Sequence, residues 1–443
     1  MTIVDMRDNR SRVQAALDQG ATYIHDELTR ENLDEFLSRF LSHGDFLLDL
    51  AWNIDANAMI QWAHDHGVIY VNTSLEEWEP YSGGPERTVQ SRTLYVRHMR
   101  IREMKSKWDK VGPTAIVEHG ANPGFVSHLV KRGLVDIAVR ALKDGIAAEG
   151  VEQALNDENF PVLAQQLGVK VIHIAERDTQ IADRPKQVGE FVNTWSVEGF
   201  YEEGIAPAEL GWGTHEKTLP RNAYLHEDGP QNQIAIAQPG ATTWVRSWVP
   251  HSETTGLLVR HGEAFTMSDH LTVWKGDKAV YRPTVHYAYC PTDAAIASMR
   301  ELEMRQWDLQ KDQRIMNDEI IDGEDRLGVL LLGHPYKAWW TGSLLSIHDA
   351  RKLIPNQSAT TVQVASAVYA AVAWAMKNPD RGLLVPDDLP WKEVMAFAEK
   401  YWGGIHSMSA DWDPLMYRND LYGPWNARVY DHSDPWQFAN FLA

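Results

Sequence analysis

The run FLLDLAWNIDANAMIQWAHDHGVIYVNT, residues 46–73, decides the fold class. Two apolar stretches, Phe46–Trp52 and Val68–Thr73, flank a helical stretch over Ile54–His66, and Gly67 is placed to end that helix in the left-handed conformation. Strand, helix and strand in so short a span make a βαβ unit, which sets two parallel strands side by side with the helix across one face. Toward the N-terminus, Thr2–Asp5 predicts a strand, Ser11–Gln19 a helix closing at Gly20, and Thr22–His25 another strand. Thr29 can cap a helix whose Leu33, Phe36, Leu37, Phe40 and Leu41 share one face, with Gly44 beyond its end. In the other direction a helix over Glu86–Lys107 precedes a strand at Thr114–Glu118. This alternation predicts an α/β, Rossmann-like domain over residues 1–123, its sheet mainly parallel with helices on both faces.

After Gly120-Ala121-Asn122-Pro123-Gly124 the pattern changes. A helix over Val126–Leu142 leads into β-type runs at Val169–Ala175, Phe191–Ser196, Ile234–Gln238, Thr243–Val249, Gly256–Arg260, Leu271–Trp274 and Tyr281–Tyr289. They predict a larger α+β domain over residues 124–443 with a mixed or antiparallel sheet. An acidic patch at Asn317–Asp325 precedes a further strand at Leu327–Leu332. The helix Thr360–Lys377 is apolar on most faces and is expected to pack back toward the first domain. The tail through Trp436 and Phe438 is expected to be irregular but held down by its aromatics.

Composition narrows the function. A net charge of −19, from 61 acidic and 42 basic residues, argues against a nucleic-acid or anionic-membrane surface and suits a cationic small ligand. Eighteen tryptophans give wide scope for aromatic pockets. Cys290 is the only cysteine, so there is no intrachain disulfide or thiolate metal cluster, which suits a reducing cytoplasm. The first residues, MTIVDMRDNRSR, have no apolar core of a signal peptide. Val362–Met376 is too short to span a bilayer and reads as a buried helix in a soluble protein.

Chemistry concentrates between Val171 and Thr214. There Glu176, Asp178, Glu198, Glu202, Glu203 and Glu209 accompany Trp195, the residue types that hold an organic cation by charge and by an indole face. The same residues also suit a solvated surface and a core tryptophan. Asn122 stands between a strand and a helix, at the sheet edge where cofactors bind, and can meet a substrate amine or a nicotinamide; an Asn-Pro turn without catalytic meaning is the alternative. Glu76 follows the strand ending at Thr73, at that same edge. Asp5 ends the first strand, where an acid binds ribose hydroxyls, or it caps the next helix. No G-x-G-x-x-G occurs in the sequence, nor does G-x-S-x-G. His64 and His66 point to different helix faces, no metal-ligand spacing is present, and no metal is expected.

The motifs HIAERDTQ (173–180), FVNTWSVEGF (191–200), PAELGWGT (207–214), GANPG (120–124), RPTVHYAY (282–289) and SDPWQF (433–438) together resemble bacterial homospermidine synthases, collinearly along the whole chain. More distantly the layout is similar to saccharopine dehydrogenase-like enzymes. The resemblance implies NAD as a recycled redox group, a homodimer, and conversion of two putrescines to homospermidine with loss of ammonia. Spermidine can replace one putrescine, releasing 1,3-diaminopropane. It implies a cation–π role for Trp195, a carboxylate beside the reacting amines at Glu176, and one orienting a distal ammonium at Glu203. Glu76 and Asn122 then match substrate- and nicotinamide-side positions, and His261 and Glu263 a polar pair at the substrate entrance. Asp5 matches the ribose-binding acid, while Leu50, Ala51, Trp52, Asn53 and Thr73 line the NAD groove. Compared with the family, roughly the first forty residues, with the Gly-rich pyrophosphate loop, are lacking. Two other readings stay open: a non-catalytic polyamine-binding truncated homologue, and a saccharopine or carboxynorspermidine dehydrogenase-like oxidoreductase.

Overall fold

The computed structural model describes residues 1–80, 84–418, 425 and 430–443. Strands β1 (Thr2–Asp5) and β2 (Thr22–His25) pair in parallel as a two-stranded sheet. Strand β3 (Phe46–Asp49), helix α1 (Ala56–His66) and strand β4 (Ile69–Asn72) form the predicted βαβ unit. The Asp55 carboxylate accepts from the Ala58 N–H at 2.8 Å to start α1, and Gly67 closes it at φ 71°. Helix α2 (Leu94–Ser106) and strand β5 (Ala115–Ile116) complete the run.

The parallel sheet alternation is as the sequence predicts, but several boundaries differ. The strand predicted to Trp52 ends at Asp49, so Leu50 and Trp52 leave the sheet exposed. The helix expected from Glu86 begins at Leu94, after 3₁₀ turns at Gly84–Glu86 and Gln90–Arg92. The Thr29 helix spans only Leu33–Ser38, because Thr29 and Asn32 bond each other in a local turn. The strand expected to Glu118 stops at Ile116, since Glu118 turns into the left-handed region at φ 56°.

In the second region, helix α3 (Phe125–Asp144) follows the Gly120–Gly124 turn. Gly124 has φ 127°, and a Cβ there would come within 2.5 Å of the Gly120 carbonyl oxygen, so only glycine fits. Next come β6 (Val171–Asp178), β7 (Glu190–Asn193), α4 (Val197–Ile205), β8 (Pro207–Gly211), β9 (Gln233–Pro239), β10 (Trp244–Val249) and β11 (Ser252–Leu257). Helix α5 (Glu263–His270), β12 (Thr284–Cys290), β13 (Glu324–Leu332) and β14 (Ala338–Ser346) follow. Helix α6 (Ala359–Lys377), β15 (Leu383–Leu384) and β16 (His406–Ala410) close the series. A ten-stranded mixed sheet runs β9-β8-β12-β6-β13-β14-β16, with Ala223–Leu225 outside β9, and with β10 and β11 joined through β12. Helices α4 and α5 fall where the sequence predicts no element.

Two features position the site. Alternation along β6 sends Val171, His173 and Ala175 to one sheet face, where Trp412, Trp436, Phe438 and Phe441 of the tail cover them. Ile172, Ile174, Glu176 and Asp178 take the other face, against α3, α6 and the first domain's β4 and β5. The polar pair at the end of β6 therefore lies buried at the seam between the two regions. Burying each large apolar side chain of α3, such as Leu129, Leu134 or Ile137, contributes about 1.5–3 kcal/mol to fixing that seam.

The second feature is the first domain's split sheet. Order β15-β5-β4-β3 forms one four-stranded parallel piece, and β1-β2 the other. In the strand order 3-2-1-4-5-6 of doubly wound folds these match every position except the central one. Among the described residues no strand pairs with the second edge of β1 or of β3, and Val4 and Leu48 on these strands are exposed.

Candidate functional site

Glu176 lies in the last turn of the alternation of β6, paired with Tyr289 of β12 on one side and Leu327 of β13 on the other. It is buried, and its Oε2 accepts from the Asn122 side-chain amide at 2.8 Å and from the Tyr287 hydroxyl. Asn122 also lies 2.5 Å from the Tyr287 oxygen. Burial pushes the Glu176 carboxyl up to about 7, against the pull of the Tyr287 and Asn122 hydrogen bonds.

Trp195 sits half-buried just before α4, its ring against Phe200. Its indole N–H donates to the Tyr289 hydroxyl at 2.8 Å. Tyr287 and Tyr289, two residues apart on one strand face, stack with centroids 5.1 Å apart. One phenol therefore serves Glu176 and the next serves Trp195.

A second polar group meets the first through Tyr287, whose ring lies 4.3 Å from the His261 ring. His261 is flanked by Glu203 of α4 and Glu263 at the start of α5, each 3.3 Å from a ring nitrogen. Burial opposes its charge, but the two carboxylates prevail and hold the imidazole well above its usual range. Burial also raises Glu263, partly offset by His261. Glu263 Oε2 faces the His261 ring, while Glu263 Oε1 and Glu203 Oε2 are buried without hydrogen-bond donors. Two carboxylates against one imidazolium leave a net negative charge with open lone pairs, an arrangement that suits an incoming ammonium.

Glu76 lies elsewhere. It contacts Glu202, which is held by Arg97 at 3.0 Å and by Arg260. Burial and the Glu202 charge push Glu76 up to about 8, while the arginines hold Glu202 down to about 2 despite burial, so the two carboxyls share one proton. Neighbours on α4, Glu202 and Glu203 thus serve different clusters. Glu209 is structural: buried under the start of α2, it accepts from the Leu94 N–H at 2.9 Å and from Gln233. Glu198 pairs with Arg7 at 2.9 Å, joining α4 to the turn after β1.

Two acids were missed in the sequence. Asp325, expected in a polar acidic patch, is fully buried in β13 opposite Asp178, where the Thr360 hydroxyl donates to it at 2.6 Å. Burial and the Glu176 and Asp178 charges raise it well above the carboxylate range. Glu118 lies 2.8 Å from His98 and against Gly262, where a Cβ would land on its carboxylate. Only its position at a strand end hinted at a role. Among the described residues no cluster of His, Cys, Asp and Glu could hold a metal.

At the carboxyl edge of the first domain, the Asp5 oxygens accept from the Arg7 N–H and the Asn9 amide, both at 2.8 Å. Leu50 and Trp52 are 61% and 40% exposed, an uncovered apolar edge beside the ends of β1 and β3. The Ala51 N–H donates to Asp49, and Asn53, at φ 62°, accepts from the Glu79 N–H at 2.8 Å. Thr73 lies beside Gly120, close to Asn122. An acid at the end of β1 and exposed apolar surface beside it fit the adenosine half of a dinucleotide, and Asn122 lies against Glu176.

Residues 1–116 match the saccharopine dehydrogenase NADP binding domain family, and residues 120–407 the saccharopine dehydrogenase C-terminal domain family. The homospermidine synthase of Mesorhizobium japonicum is 40% identical over 451 residues, covering 100% of this chain and 90% of that protein. That of Blastochloris viridis is also 40% identical, over 449 residues, covering 100% and 91%. The crystal structure of a homospermidine synthase from Legionella pneumophila in complex with NAD superposes with a TM-score of 0.87 at 37% identity, covering 100% of this chain and 91% of that one.

Proposed function

Because this chain belongs to the homospermidine synthase family, we propose that it makes homospermidine from two putrescines with release of ammonia, or from spermidine and putrescine with release of 1,3-diaminopropane. The observation that carries this reading is the pair of buried acidic groups joined by Tyr287, with carboxylate oxygens left without donors. A diamine has one reacting and one distal nitrogen, and the site offers a separate partner for each.

The distal ammonium pairs with Glu203 and Glu263, whose shared His261 keeps them at fixed separation. The indole face of Trp195, set by Tyr289, lies along the cationic body. Glu176 Oε1 takes the proton from the reacting nitrogen, which must be neutral to react; a carboxyl near 7 suits that exchange. Burial at the seam keeps water from the reacting carbon. Asp5 would hold ribose hydroxyls, Leu50, Ala51, Trp52, Asn53 and Thr73 the walls of the groove, and Asn122 the nicotinamide side. NAD, when bound, supplies reversible hydride acceptance, so the C–N bond is oxidised and later reduced without net redox change. The unsubstituted acid at Asp5 favours a free 2′-hydroxyl over a phosphate there. Glu76 acts at a distance, through the Glu202 cluster. A cytoplasmic homodimer belongs to the same proposal. A lone buried Cys290 and exposed Ile181 and Ile321 on adjoining short strands support it.

Incubating the chain with putrescine and NAD should give homospermidine and ammonia by mass spectrometry without build-up of nicotinamide absorbance. Accumulating NADH without homospermidine would favour the dehydrogenase reading. Putrescine binding without NAD binding would favour the non-catalytic one.

A further inference from the structure

We propose that Tyr287 is a positioning residue for this reaction, its hydroxyl fixing Glu176 so that one carboxylate oxygen faces the substrate nitrogen as a proton acceptor. The inference rests on the reading of Glu176 given above. Glu176 Oε2 receives two donors, the Tyr287 hydroxyl and the Asn122 amide, whereas no donor among the described residues reaches Oε1. The carboxylate is therefore oriented by one oxygen and open at the other. Tyr287 is itself held by the Asn122 amide, by the stack on Tyr289 and by the His261 ring, so its hydroxyl has little freedom. Its neighbour Tyr289 shares the stack but packs on Phe200 and serves Trp195 instead.

The groups facing Glu176 are Asp178 from its own strand, Asp325 from β13, Tyr287 and Tyr289 from β12, His261 ahead of α5, and Asn122. Burial is the largest influence on its protonation and raises it; the Tyr287 hydrogen bond is the largest opposing one. In the step at issue the N–H bond of the substrate ammonium breaks, an O–H bond forms at Oε1, and the nitrogen keeps the electron pair. A hydroxyl donating to Oε2 favours the ionised acid before that transfer. Without it, Glu176 should stay protonated to higher pH.

The test is the pH dependence of kcat/KM for putrescine, measured with NAD on the full chain and on Tyr287→Phe and Tyr289→Phe. Tyr287→Phe keeps both ring contacts and should move the acid limb up by about one pH unit, with the rate recovering at alkaline pH. Tyr289→Phe should leave that limb in place. Incorporating 3-fluorotyrosine at position 287, a stronger donor, should move it down. A limb unmoved in all three, with Tyr287→Phe slowed equally at every pH, would overturn the proposal and leave Tyr287 a packing residue. Titration of the Glu176 carboxyl by ¹³C NMR, assigned with Glu176→Gln, reads the same displacement without turnover. Absence of homospermidine would thus count against the proposed reaction, and an unmoved carboxyl titration against the role of Tyr287.

Discussion

Replacing Trp195 separates an indole that binds a cation from one that merely fills space. A desolvated cation–π contact contributes about 2 kcal/mol, and the Trp195 N–H to Tyr289 bond at 2.8 Å contributes about 1 kcal/mol more by fixing the ring. Trp195→Ala loses both, so kcat/KM should fall by about two orders of magnitude. Trp195→Phe keeps an aromatic face against Phe200 but loses the N–H, and should fall by about fivefold to tenfold. The assay is the initial rate of homospermidine formation from putrescine, with Tm recorded for each protein because the alanine also leaves a void at a half-buried position. Tm should fall more for Ala than for Phe, but Ala should remain far slower at temperatures where both are folded. Equal rates for Phe and Ala would refute the cation–π assignment.

The proton shared by Glu76 and Glu202 has a signature in stability. Burial and the Glu202 charge push the Glu76 carboxyl up to about 8, so the folded protein holds a proton that the unfolded chain releases, and its contribution to stability declines as pH rises toward 8. Glu76→Gln should flatten the fall in Tm between about pH 5 and 8; an unchanged slope would remove Glu76 as its source. Gly262→Ala places a methyl on the Glu118 carboxylate, and should lower both activity and Tm, the latter by an amount measurable in a thermal scan. Asp5→Ala should weaken NAD binding by tenfold or more in a calorimetric titration, while putrescine binding stays within about twofold; equal affinity for NAD in both proteins would assign Asp5 to its turn with Arg7 and Asn9.

What was legible in the sequence depended on how local its cause was. The β3–α1–β4 unit could be read because its period and its Gly67 stop lie within the segment. Helix α4 was hidden, since the aromatic and β-branched residues of FVNTWSV outweigh the one helix signal, Ser196, whose hydroxyl accepts from the Gly199 N–H at 3.0 Å. Asp325 looked like part of a solvated patch because burial of an acid depends on its partners Thr360 and Asp178, remote in sequence. The same holds for Glu209, whose partner is the start of another helix. Trp195 and Glu176 were singled out by residue type and by family resemblance, whereas their tyrosine partners were visible only as members of a quoted motif. Pairing across a sheet has no sequence period of its own.

Strand β15 comes after α6, deep in the second half of the chain, yet it lies against β5 in the first domain's sheet. The Ala115 N–H donates to Gly382 and the Val117 N–H to Leu384, at 2.9 and 3.1 Å, and the Lys105 ammonium reaches the Leu383 carbonyl at 2.9 Å. The two regions are therefore tethered twice, once through residues 117–124 and once through β15, like a lid with two straps rather than one hinge. A clamshell opening would have to strip a sheet strand, so access for amines must come from sliding or from loop motion along the line between the tethers. Cutting the backbone between residues 116 and 120 should accordingly leave two fragments that stay together on a sizing column.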